Sequence, residues 1–372
     1  MNITFLIGNG FDLSVGADTS YSAFYRWYCK QPSEAAHIKN FKEAIQENIE
    51  SGNENWADFE VALGQYTNQF SPDTVGQFLD CVEDAREKMM VFLKDVTEKP
   101  EICASQKNVT ALRNSVRGFY QELPLEEHNK IEALLNSNFL ENIDAKFLSF
   151  NYTDLLDKCV SCLSSKPLAE WGDGTIYKRE FSVNPKVLHV HGRTSYYPVM
   201  GVNDDSQVVN QKLLLAPYLK EIIIKPKCVD AMRESWHTEA EQQIKGSQII
   251  CIMGMSLGPT DAKWWKQIID WLSEDSKRHL ILFWFIKDEE QYQLNHIDVR
   301  NRIKYERERA DGISTAQNHL LRYAENGEAN DESIRSRIHV VINTKKFMKV
   351  SFTQEDEPKI IPAGTPQDKA LV

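Results

Sequence analysis

The chain has 372 residues, 42% of them hydrophobic and 26% charged, which is ordinary globular composition with ample length to bury a core. Lys and Arg number 43 against 54 Asp and Glu, a net charge of −11. This counts against nucleic acid and anionic membrane as partners, because neutralising phosphates supplies most of that affinity. The seven cysteines are an odd number, widely spread, and are expected as reduced thiols rather than a disulfide frame. With no basic leader or cleavage-site pattern at the start, and no apolar run long enough to span a bilayer, a cytoplasmic chain is expected.

The first predicted strand, Ile3–Ile7, runs into Gly8-Asn9-Gly10-Phe11-Asp12. A strand that ends in glycines before a chain reversal leaves backbone N–H groups bare and lets a ligand approach the backbone closely. A tight strand-to-loop turn explains the same residues. From Tyr21 to about Leu140 the pattern is helical, with Phe24, Trp27 and Tyr28, then Phe59, Leu63 and Tyr66, at core-stripe spacing. The stretch Asn55-Trp56-Ala57-Asp58-Phe59-Glu60 sets Glu60 among aromatics, as a solvated or capping group or as a carboxylate aimed at a ligand cleft.

A second strand, Lys146–Phe150, delivers Asn151 to a strand tip, where its amide offers a donor and an acceptor together. Asp154 is placed to cap the next helix. Cys159 and Cys162 form a single CxxC; without a second pair, two small apolar residues on a helix is the simpler reading than zinc. After an expected loop at Gly172–Ser182, a strand at Lys186–His191 ends in His189-Val190-His191-Gly192-Arg193. The two histidines share strand parity and are expected on one face. His191, last before the glycine, suits a general base, whereas His189 suits a buried ring bonded to backbone. No helpfully spaced third ligand supports a metal at the pair.

A strand at Gln248–Met253 leads into Gly254-Met255-Ser256-Leu257-Gly258. This matches a nucleophile elbow, with Asp288 and His319 or His339 as triad partners. Pro259 and Asp261 instead place the helix start later, which favours a glycine-serine loop gripping a phosphate or ribose. Strands at His279–Ile286 and Arg337–Ile342 follow, with a polar helix and loop over Ala310–Ser333 between them. Several strands are continuous apolar runs separated by helical stretches, the pattern of an α/β fold with a mostly parallel, doubly wound sheet. The expected division is residues 1–20 with 141–345 as the α/β domain, 21–140 as a helical insertion or cap, and 346–372 as a flexible tail.

IGNGFDLSVG with Thr19-Ser20-Tyr21, then WADFE, FNYTDLL, HVHG and GMSLGPTD, resemble in this order the AbiH family of bacteriophage abortive-infection proteins, from Met1 to about Trp265. That pattern is in turn similar to the sirtuin-like, Rossmann-like NAD-binding fold. The resemblance implies that Gly8 and Gly10 hold a pyrophosphate, Asn151 faces the nicotinamide ribose, His191 is the catalytic base, and Gly254 and Ser256 meet the adenosine side. Asn9, Phe11, Asp12 and Asp261 complete the candidate nucleotide contacts. Asn9 and Asp12 depart from the sirtuin pattern, and the sirtuin zinc module is absent. The implied activity is therefore NAD cleavage rather than protein deacylation. NAD is the substrate, no metal takes part, and a homo-oligomer or a phage-derived activator gates a toxic reaction. A serine hydrolase built on Ser256 and a non-catalytic sensor of an ADP-ribose-like nucleotide are the alternatives.

Overall fold

A computed structural model describes residues 1–50, 59–98, 106–137, 141–172, 178–286, 299–325 and 331–348. The apolar runs form seven strands: β1 (Asn2–Ile7), β2 (Ile143–Ser149), β3 (Ala169–Trp171), β4 (Arg179–His189), β5 (Ile249–Met253), β6 (His279–Trp284) and β7 (Ile338–Ile342). They lie in one sheet in the order β3-β4-β2-β1-β5-β6-β7. Every pairing is parallel except that of β3 with β4. Without the short edge strand β3, the six parallel strands follow the 3-2-1-4-5-6 order of a doubly wound α/β sheet. The chain leaves β1 toward β2 on one side and returns to β5 on the other, so the order reverses at the carboxyl end of β1. In such sheets ligands bind at that crevice.

Strand parity explains the two covered faces. Ile3, Phe5 and Ile7 of β1 enter one core with Phe147, Cys251 and Phe283. Leu6 enters the other with Leu148, Ile250 and Leu280. Phe5 lies parallel to Phe147 and Phe347 at 5.0 and 5.6 Å. Continuous apolar strands are what a sheet buried on both sides requires.

The first helices are α1 (Gly10–Ser14), α2 (Tyr21–Tyr28), α3 (Ala36–Glu50), α4 (Phe59–Tyr66) and α5 (Val75–Glu98), followed by α6 (Gln106–Arg117), α7 (Leu125–Ser137) and α8 (Leu155–Leu163). Ser20 caps α2 by accepting from the Ala23 N–H at 3.2 Å. After β4 come α9 (Leu219–Ile223), α10 (Lys225–Ala231) and α11 (Trp236–Lys245); α12 (Ala262–Glu274), α13 (Val299–Leu321) and α14 (Glu332–Arg335) complete the set. Helices α6, α7 and α8 bury Val116, Ile131 and Val160 in the core of the first face, and α11, α12 and α13 bury Ile244, Ile268 and Leu320 in that of the second.

The predicted insertion divides by packing. Phe24, Phe41, Phe59 and Phe92, from α2 to α5, share a third core with Met200, Val202, Leu213 and Ile223, which follow β4. Its last two helices, α6 and α7, belong to the sheet. Among the described residues no helix is long and apolar enough to cross a membrane.

Two expectations need correction. Gly172–Ser182 is not all loop, since Arg179–Ser182 opens β4 and pairs with β3 and β2. Its alternation of buried Arg179 and Phe181 with half-buried Glu180 and Ser182 lacks the apolar run that marks the central strands, and Arg179 is buried by donating to the Leu135 and Glu141 carbonyls. The predicted strand at Lys186–His191 ends instead at His189, and the chain turns at Val190–Gly192. The tail from 349 onward and the residues Asn55–Asp58 lie outside the described residues.

Candidate functional site

At the carboxyl edge four segments emerge side by side: Gly8–Asp12 after β1, Phe150–Thr153 after β2, Val190–Arg193 after β4, and Gly254–Asp261 after β5. The glycines act first on each other. A Cβ on Gly10 would stand 2.5 Å from the Gly254 Cα, and one on Gly8 would stand 2.7 Å from the Gly254 carbonyl oxygen. Gly254 itself has φ +72°. The N–H groups of Gly8 and Gly10, expected bare, donate at 2.9 Å to the Met253 and Gly254 carbonyls. The missing side chains therefore admit a neighbouring loop, and those two amides are not a phosphate cradle.

The remaining residues of the opening motif are also engaged. Asn9 is exposed, and its amide donates to the Thr19 carbonyl at 3.1 Å. Phe11 is a core side chain. Asp12 is fully buried; its Oδ1 accepts from Asn151 Nδ2 at 2.9 Å and its Oδ2 from Thr153 Oγ1 at 2.7 Å. Burial pushes this carboxyl up to about 7, against the pull of the Thr153 and Asn151 hydrogen bonds.

Asn151 Nδ2 also donates to the Gly8 carbonyl at 3.2 Å. Since that carbonyl can only accept, the amide orientation is fixed. Asn151 therefore keeps its nitrogen inward, leaving Oδ1 as the end with no donor among the described residues. Asp154 occupies the cap position of α8, but its side chain makes no cap bond and pairs with Lys158 at 3.0 Å.

The expected common face of the two histidines does not hold, because the turn after β4 rotates His191 away. His189 is hydrogen-bonded at Nδ1 to the Asn151 carbonyl and at Nε2 to Asp157 of α8, both at 2.8 Å. It joins the tips of β2 and β4, as does Tyr152, whose carbonyl accepts from the Thr194 N–H. The His191 ring lies edge-on to Phe150 with centroids 5.4 Å apart. Its Nε2 stands 2.9 Å from Asp261 Oδ1, close enough for charge contact but without hydrogen-bond alignment. A lone pair facing a carboxylate is repulsive, so the proton belongs on Nε2 and the bare lone pair on Nδ1. That Nδ1 is buried without a hydrogen-bond partner, a costly state that a ligand or water would relieve.

Asp261, read from the sequence as a nucleotide contact, is half-buried and engaged by side chains of the protein. Its Oδ1 also receives Lys225 Nζ at 2.8 Å, and Lys225 in turn meets Glu60 Oε2 at 2.8 Å. Burial disfavours the Asp261 charge, yet Lys225 and His191 outweigh it and hold the carboxyl well below the usual range. Burial likewise works against the Lys225 charge, and Asp261 and Glu60 more than offset it. On the far side, His237 of α11 is held neutral, pushed down to about 3 by burial and then by the charge of Lys263. It is hydrogen-bonded through Nε2 to the Val190 carbonyl at 3.1 Å.

Ser256 is exposed and precedes a 3-10 turn at Pro259–Asp261 rather than a helix. The positive φ values in this loop belong to Gly254 and Leu257, not to the serine, so the strained elbow is not formed here. His339 is bonded to His279 and faces Glu127 near the amino end of β7, the opposite edge of the sheet. His319 packs on Trp284, and Asp288 lies outside the described residues. Cys159 is a core residue of α8, with Cys162 on the same helix half-buried. Among the described residues no group of three or more His, Cys, Asp or Glu is arranged to hold a metal.

The sequence missed Thr153, Lys225 and His237. Thr153 lay within a motif already singled out. Lys225 carried one signal, a lone cation closing the apolar run Ile222–Ile224 before Pro226. His237 carried none.

The profile of the family described as Bacteriophage abortive infection AbiH matches residues 4–284. No curated protein matches the chain.

Proposed function

The chain belongs to the AbiH family of bacteriophage abortive-infection proteins, and from that premise we propose that it is a defence effector that hydrolyses NAD at the nicotinamide–ribose bond. The observation that carries this reading is the His191 imidazole, buried with an unpartnered Nδ1 beside the strand tip that bears Asn151. It sits where doubly wound sheets bind nucleotides.

In this reading the C1′–N1 bond breaks and its electron pair returns to the pyridinium ring. Nicotinamide leaves neutral and needs little acid assistance. The sugar passes through an oxocarbenium-like state, water adds at C1′, and His191 Nδ1 accepts the water proton. Asn151 Oδ1 holds a ribose hydroxyl or the water. Asp12 and Thr153 keep that amide in place. The products are nicotinamide, ADP-ribose and a proton. The pairing of the Gly8 and Gly10 amides within the protein moves the weight of the reading from a phosphate loop to the imidazole and the amide. Loss of NAD would arrest the host, so gating by self-assembly or by a phage component belongs to the same proposal.

The test is incubation of the protein with NAD, alone and with phage-infected extract, with products separated by chromatography. Release of nicotinamide is expected. His191→Ala and Asn151→Ala, with folding checked by circular dichroism, should each lose on the order of 10²–10⁴-fold in rate. Folded variants that retain the wild-type rate, or NAD recovered intact under both conditions, would overturn the assignment.

A further inference from the structure

Glu60 and Lys225 are only 5% and 2% exposed, and both are engaged by groups of the protein itself. Glu60 sits at the start of α4, one residue after Phe59 in the aromatic core. Its Oε1 accepts from the Gly201 N–H at 3.1 Å while its Oε2 faces Lys225. Lys225 opens α10 and reaches Asp261, which stands against His191. Three segments far apart in the chain thus deliver an acid, a base and an acid in line to one imidazole. Buried ion pairs are weak devices for stability, because desolvation offsets their attraction. Burying Glu60 and Lys225 in a row with the half-buried Asp261 behind His191 calls for another reason.

We propose that Glu60 and Lys225 are positioning residues that set, through Asp261, the charge against which His191 takes up its proton. This rests on the reading of His191 as the base. Asp261 alone would favour a protonated imidazole. The Lys225 ammonium opposes it, and Glu60 in turn moderates Lys225. The other groups facing His191 are the neutral ring of His237 from α11 and, behind it, Lys263 of α12, which is paired with Glu241 at 2.8 Å. Phe150 supplies an apolar wall. The arrangement also ties α4, in the aromatic helical core, to the imidazole at the edge of the sheet, so a shift of that core would change the strength of the base.

The two ends of the relay carry opposite signs, and so do the expected effects. In substrate-free protein with isotope-labelled histidine, the His191 resonances are assigned by their loss in His191→Gln and followed against pH. In Lys225→Met the proton should be taken up at higher pH than in wild type, by about one unit or more, as for an opposite charge at contact distance no longer offset. In Glu60→Gln it should be taken up at lower pH. A merely structural network would weaken folding and leave both titrations superimposed on wild type, which would overturn the proposal. Shifts of the same direction in both variants would also overturn it. If Lys225→Met does not fold, the isosteric Glu60→Gln decides alone: a downward shift upholds the relay and an unchanged curve ends it. No nucleotide enters this measurement, so failure of NAD cleavage and failure of the relay are read separately.

Discussion

A buried carboxyl group with both oxygens engaged shows how far single residues can be read from sequence. Asp12 was visible as an acid after a glycine corner; its complete burial was not, because nothing local announces that Asn151 and Thr153 arrive from 139 and 141 residues away. Its folded-state pKa rises from 3.8 to about 7. The folded protein therefore binds more protons than the unfolded chain in that window, and this group's contribution to stability falls as pH rises from about 4 to about 7. At 1.36 kcal/mol per unit, the full loss is on the order of 4 kcal/mol. Asp12→Asn mimics the protonated acid, accepting from Asn151 and donating to Thr153. Urea unfolding between pH 4 and 8 should show the variant gaining stability over wild type as pH rises. Parallel profiles would contradict the assignment. His237 acts with the opposite sign: its pKa, depressed from 6.5 to about 3, gives a contribution present near neutrality and lost as pH falls from about 6.5 to about 3. Asn151 and His191 stood out in the sequence as polar residues after apolar runs; in the structure both lie just beyond the ends of β2 and β4. Lys225 was not, because a lysine before Pro226 also reads as a solvated helix start.

Most strands of the central sheet were legible because burial on both faces leaves a largely apolar run, whereas the start of β2 with Asp144 and Lys146, edge strand β3 and the start of β4 are interrupted by polar residues. At the carboxyl edge, elements meet backbone to backbone. The Gly8–Gly10 corner and Gly254 cross so closely that Gly10→Ala must push two loops apart. A destabilisation of about 1–3 kcal/mol is expected in denaturant unfolding, together with weaker nucleotide binding; a variant as stable as wild type would contradict the packing described. The loop after β5 lacks the geometry of a nucleophile elbow. Ser256 should accordingly resist a fluorophosphonate probe, and stoichiometric labelling that disappears in Ser256→Ala would restore the hydrolase reading.

Across the whole molecule, the helical stretch after β1 serves two cores. Helices α6 and α7 cover the sheet, while α2 to α5 build an aromatic core completed by residues 200–224. Helical spacing revealed the stripe of Phe24, Trp27 and Tyr28 but not its partners, since tertiary packing across 100 residues leaves no periodic trace. The same long-range packing brings Glu60 behind His191. If the protein cleaves NAD as proposed, a nicotinamide dinucleotide lies along the carboxyl ends of β1, β2, β4 and β5, with its ribose between Asn151 and His191. The most direct measurement is a crystal structure of the protein with ADP-ribose, the expected product. The terminal ribose is expected within hydrogen-bond distance of Asn151 Oδ1 and facing His191 Nδ1. ADP-ribose bound elsewhere at full occupancy, with that edge holding only water, would contradict it.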